Sequence, residues 1–186
     1  MKKTLNLSFR ACRGISLLLS FLLLSATSCN NDDNNCQGID CLPPATQTGE
    51  GTFGCLVNGE PFVDNSGFFN CFYQLVDGEY FFGITAQDSG NEYTQIDIGS
   101  LNSSIETDTQ LQLKERENGN FYGLLSFDCI CPQGMTNSDE PGTLEITKLD
   151  LTNNIVSGIF NFTVINPDTG ETFEITEGRF DSFFTQ

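Results

Sequence analysis

The chain has 186 residues, 25 acidic against 8 basic, a formal charge of −17, and no His or Trp. So acidic a surface repels phosphate backbones and anionic headgroups, which excludes nucleic-acid partners. Without histidine the commonest general base and metal ligand are missing, which excludes Ser-His-Asp and Cys-His catalysis and His-based zinc sites.

Residues 1–14 carry Lys2, Lys3, Arg10 and Arg13 and no acid, and residues 15–24 are dominated by apolar side chains. Small residues follow, Ser25-Ala26-Thr27-Ser28, and then Cys29. A basic start, a short apolar run and a small-residue exit describe a secretory signal. The run is far below the roughly 20 residues that span a bilayer core. Small residues directly before a cysteine resemble the lipobox of bacterial lipoproteins, although Ala26 stands where that family usually has Leu. The resemblance implies cleavage after residue 28, lipidation of Cys29 (a diacylglyceryl group and usually an acyl chain such as palmitate) and anchoring to the outer membrane. Several acyl chains anchor stably where a single chain is marginal.

Cleavage leaves 158 residues with Lys114, Arg116, Lys148 and Arg179 against the 25 acids, a charge of −21. Residues 29–51 read as the lipidated cysteine and a polar, acidic, flexible tether. Asp32 and Asp33 resemble the short acidic surface-export signal of lipoproteins in the Bacteroidota, which implies display on the cell surface.

From Thr52 the pattern has a period of two, the mark of strands. Phe53, Cys55 and Val57 share one face before the Asn58-Gly59 turn. Phe68 to Val76 and Tyr80 to Ala86 flank Asp77-Gly78, a strong hairpin signal because both central residues need φ > 0. The aromatic run from Phe68 to Phe82 is apolar on both faces, which admits a pocket or an interface there. Tyr93 to Ile98 alternates. Leu111 and Leu113 point inward before Asn118-Gly119, which predicts a second hairpin into the strand from Phe121 to Cys131. Pro132 to Gly142 reads as a loop. Leu144 and Ile146, then Val156, Phe160, Phe162 and Val164, face inward around the Asn153-Asn154 turn. Phe173 and Ile175 lead to Glu177-Gly178, and the stretch from Arg179 to Phe184 closes the chain. The prediction is one all-β domain over 52–186, about nine or ten strands in an antiparallel meander, forming a β-sandwich or β-barrel.

The segments GTFGCLVNGEPFV at 51–63 and SGIFNFTVINPDTGETFEITEGRFD at 157–181 resemble an uncharacterised family of Bacteroidota lipoproteins. That resemblance implies the fold and the envelope address, and no activity.

Six cysteines remain after cleavage: Cys36, Cys41, Cys55, Cys71, Cys129 and Cys131. An even number in an exported chain predicts disulfides. Cys36 and Cys41 are close enough to bridge within the tether. Cys129 and Cys131 lie two apart in a strand, about 7 Å at ~3.3 Å per residue, too far to bond each other. They are expected to bond across to Cys55 and Cys71.

No catalytic pair stands out, since the carboxylates fall in turns and on outward strand positions. The expectation is therefore not an enzyme, and no cofactor or metal is assigned. Asp64-Asn65-Ser66-Gly67 and Asp88-Ser89-Gly90-Asn91-Glu92 are oxygen-rich, but turn chemistry alone explains them. The sequence reads as a lipid-anchored binding module for a protein, a glycan or a small apolar ligand. The alternatives are a structural envelope lipoprotein without a ligand of its own, or a calcium-dependent binding domain.

Overall fold

The computed structural model describes residues 36–90, 93–127 and 133–186. The signal segment, Cys29 and the pair Cys129 and Cys131 lie outside the described residues.

Among the described residues eleven strands form one sheet. They are β1 (Thr52–Val57), β2 (Glu60–Val63), β3 (Asn70–Val76), β4 (Glu79–Gln87), β5 (Tyr93–Ser100) and β6 (Gln110–Leu113). The others are β7 (Phe121–Phe127), β8 (Gln133–Met135), β9 (Gly142–Asp150), β10 (Ile155–Ile165) and β11 (Thr172–Phe183). The order is β2-β1-β11-β10-β9-β6-β7-β5-β4-β3, with β8 beside β7. The all-β prediction holds, and the sheet curls into a half-barrel. Past the end of β11 the chain meets β3, where Tyr73 N–H donates to Thr185 O (2.9 Å) and Thr185 N–H to Cys71 O (3.1 Å).

The Asn58-Gly59 and Asp77-Gly78 turns form as the sequence predicts. Asn58 and Gly59 adopt φ of 50° and 86°, and Asp77 and Gly78 adopt 52° and 88°. Each pair joins directly bonded strands, because a turn with two positive φ values matches the strand twist. The Asn118-Gly119 hairpin does not form. β6 pairs antiparallel with β9, from Gln110↔Glu145 to Leu113↔Gly142, and meets β7 only at the parallel pair Leu113↔Phe121. The turn is spent elsewhere, with Gly119 N–H bonded to Leu101 O (2.7 Å). The meander is likewise interrupted where β1 pairs with β11, the first strand with the last. Residues 132–142, expected as a loop, carry β8. Thr136 just beyond it is buried and its hydroxyl donates to Lys114 O (2.5 Å), tying this segment to the end of β6.

The interior is packed with phenylalanine. Phe160 sits at its centre, with ring centroids 5.2 Å from Phe53, 6.1 Å from Phe162 and 6.5 Å from Phe180. Phe180 continues the contact to Phe82 at 6.4 Å. Two strand glycines make room for these rings. Gly178 lies opposite Phe160, and Gly158 opposite Phe180. A Cβ at either glycine would run into the ring of its partner. Each ring therefore covers the glycine across from it and recovers the packing a glycine loses in a strand.

The described part of the expected tether is not a free linker. Residues 36–51 lie on the sheet. Cys36 and Cys41 form a disulfide, as the sequence predicts. Gly38–Cys41 make a single 3-10 turn, Leu42 is buried, and Pro43 packs where a Cβ of Gly54 would stand. The strap then crosses Asp181 of β11. The Asp181 carboxylate accepts Thr46 Oγ1–H (2.7 Å), the N–H groups of Thr48 (2.9 Å), Gly49 (2.9 Å) and Glu50 (3.2 Å), and Ser157 Oγ–H (2.7 Å). Alternation places Asp181 on the outward face of β11, and the strap buries it there, leaving it 1 % exposed.

Burial opposes charge on Asp181, but the bonds from Thr46, Thr48, Ser157 and Gly49 outweigh it and hold its pKa at about 2, against an ordinary 3.8. A depressed pKa means that the folded protein takes up this proton less readily than the unfolded chain. The stabilisation is full above about pH 4 and is lost as the pH falls toward 2, a change of about 2 kcal/mol. Urea melts across this range should show it, and Asp181→Asn should remove this part of the acid dependence.

Candidate functional site

Strand β11 is long enough to have been read as two. The inward residues are Phe173 and Ile175 and then Phe180, so parity changes between 175 and 180. The change is a β-bulge. Phe160↔Gly178 and Phe162↔Ile175 are consecutive inward pairs with β10, so Asn161 alone faces Thr176 and Glu177. The same slip occurs against β1, between Gly54↔Arg179 and Leu56↔Thr176. Glu177 takes φ of 54° within it. Glu177-Gly178 is thus a bulge in a continuous strand and not a break between two strands. A bulge bends its strand and re-aims the neighbouring side chains.

Here it aims Arg179. The guanidinium folds back on its own bulge, with Nε–H donating to Glu177 O (3.1 Å) and Nη2 lying 3.4 Å from Glu177 Oε2. Its side chain is only 17 % exposed. Across the outward face the register runs Gln110↔Glu145↔Ile159↔Arg179 over four strands. These residues, with Thr143 and Asn161 below and Ala45 of the strap above, line an open cleft of about 420 Å³. It offers a half-buried guanidinium, two carboxylates, two amides, a hydroxyl and the partly exposed Ile159. That mixture of donors and acceptors around one apolar side chain suits a ligand rich in hydroxyls.

None of these residues was singled out in the sequence as a site. Glu145, Asn161 and Arg179 are far apart along the chain and come together only through strand register. The usable signal was the parity change beside one of the few cations.

A second depression of about 350 Å³ lies where the β3–β4 hairpin meets the β9–β10 turn. Tyr73 and Tyr80 stack there at 5.0 Å, and the exposed Leu75 and Leu151 form its rim. The aromatic run is divided by this arrangement. Phe82 is core, Phe69 packs against the core, and Phe68 is 73 % exposed.

Cys55 and Cys71 are buried thiols. Burial pushes the Cys55 pKa up strongly, and pushes Cys71 to about 12 despite a hydrogen bond with Ser182. Neither is a thiolate at neutral pH, so neither is a nucleophile. Their expected partners Cys129 and Cys131 lie outside the described residues. The two oxygen-rich turns do meet. Asn65 Nδ2–H donates to Asp88 Oδ1 (2.7 Å), and Ser89 N–H and Oγ–H both donate to Asn65 Oδ1 (3.0 Å each). Asp64 Oδ1 accepts Gln87 N–H (2.8 Å). Their oxygens close the gap between β2 and β4 by bonding each other's donors. Among the described residues no group of three acidic or cysteine side chains is placed to hold a metal ion.

No protein-family model, no curated protein and no solved structure matches this chain. The functional reading therefore rests on the chain's own geometry.

Proposed function

We propose that this protein is a lipid-anchored envelope lipoprotein of the outer membrane, displayed at the cell surface. In this reading it acts as a non-enzymatic binding module, and the cleft beside the β11 bulge takes a neutral, hydroxyl-rich glycan. The observation that carries this reading is the division of the molecule into a filled inside and a shaped outside. Phenylalanine rings pack the interior around Phe160. The outward face instead holds polar groups of several kinds around Ile159 and a half-buried Arg179. The strong negative charge of the chain favours a neutral partner over an anionic one.

The address supports the same reading through the lipobox-like exit at Cys29 and the acidic pair Asp32 and Asp33. Protease shaving of intact cells tests it, with a Cys29→Ala chain as control. Release of the domain from unbroken cells is expected. Protection until the envelope is opened would move the protein to the periplasmic face. For the cleft, the soluble Cys29→Ala chain is to be screened against an array of neutral extracellular glycans. Arg179→Ala should weaken any glycan captured by about tenfold, which is ~1.4 kcal/mol. An array without a hit, or a hit indifferent to Arg179, favours a structural envelope protein without a ligand at this cleft.

A further inference from the structure

We propose that the disulfide loop Cys36–Cys41 is the membrane-facing surface of the domain, with Ile39 as its contact with lipid. This orientation rests on the lipidation of Cys29 proposed above and goes beyond it.

Were residues 30–51 a free coil, the domain would hang at the end of a long leash and could present any face to the bilayer. The strap removes most of that leash. The chain is fixed from the disulfide onward, through the 3-10 turn packed on β1 and β2, the buried Leu42, and the bonds to Asp181. Seven residue steps separate Cys29 from Cys36. Even fully extended they reach at most about 25 Å. A domain of this size has a radius of gyration of roughly 15 Å, so its breadth exceeds that reach. The loop that receives the anchor is therefore held nearer the bilayer than the far side of the sheet.

The chemistry of the loop agrees with this placement. Ile39 is 48 % exposed at its tip. No Lys or Arg occurs between residues 30 and 51, a stretch that holds Asp32, Asp33 and Asp40 in the sequence. Such a surface gains nothing from anionic headgroups, so its contact with the membrane is apolar and goes through Ile39.

The absence of tryptophan from the chain makes the test direct. Ile39→Trp and Leu151→Trp each introduce one indole at an exposed apolar position. Leu151 lies in the β9–β10 turn, on strands other than those that carry the loop. The full lipidated chains are placed in phosphatidylcholine vesicles with brominated acyl chains. Emission from the Ile39→Trp chain should shift to shorter wavelength and be quenched at least about twofold, because an indole settles at the lipid interface. Emission from the Leu151→Trp chain should stay unquenched. Equal quenching in both variants, or none in Ile39→Trp, overturns the orientation when mass spectrometry finds the acyl groups on Cys29. A Cys29 without acyl groups overturns the anchor, and the orientation with it.

Discussion

Asp181→Ala should cost the domain about 3–5 kcal/mol, a large fraction of the stability of a protein this size. Removing the carboxylate leaves the hydroxyls of Thr46 and Ser157 and the amides of Thr48, Gly49 and Glu50 without their acceptor. Each donor left buried and unpaired costs about 1–3 kcal/mol, and the strap escapes the full sum by lifting into water. The variant should therefore show two changes at once. Its urea midpoint should fall, and residues 44–51 should become open to proteolysis while the strands stay protected. An unchanged midpoint with an intact strap would mean that the carboxylate does not hold it. Ala45 lines the cleft from the strap side, so the same substitution should also loosen the proposed glycan site. Asp181→Asn keeps the shape but turns an NH₂ toward several donors, so it should also destabilise, by less.

Phe160→Ala should cost about 3–5 kcal/mol by a different route. The ring touches Phe53, Phe162 and Phe180, and it also covers Gly178 across the β10–β11 pair. Its loss opens a cavity at the centre of the half-barrel and uncovers a glycine at the bulge. Neighbouring strands are tied by backbone bonds on both sides of β10, which limits collapse into the space. Phe160→Leu should recover roughly half the loss, since it refills volume but does not cover Gly178. Thermal or urea unfolding measures both. A loss below about 1 kcal/mol for the alanine variant would show that the site collapses and that the ring cluster is not what holds the curl.

Much of the architecture follows from local chemistry. Alternation at Phe53, Cys55 and Val57 and at Phe160, Phe162 and Val164 fixes which face is buried, because the side-chain period of a strand is two. Asn58-Gly59 and Asp77-Gly78 force their hairpins, because few other pairs accept two positive φ values. Cys36 and Cys41 bridge because a short loop can close on itself. The sequence alone thus determines an all-β domain, its inward residues, the Asn58-Gly59 and Asp77-Gly78 turns and one disulfide.

What it leaves open concerns partners distant along the chain. Asn118-Gly119 carries the same turn chemistry, yet β6 pairs with β9, because the choice between neighbours in a sheet belongs to the whole sheet. A one-residue slip at Glu177 joins two expected segments into one strand, aims Arg179 into the cleft, and leaves no trace beyond a change of parity. Asp181 sits at an outward position and reads locally as a solvated carboxylate. Only the strap that folds back from residues 46–50 buries it and supplies four of the five hydrogen bonds it accepts, the fifth coming from Ser157. Polar composition says that a segment can be solvated. Whether it is free depends on an acceptor more than 130 residues away, and only the tertiary structure supplies it.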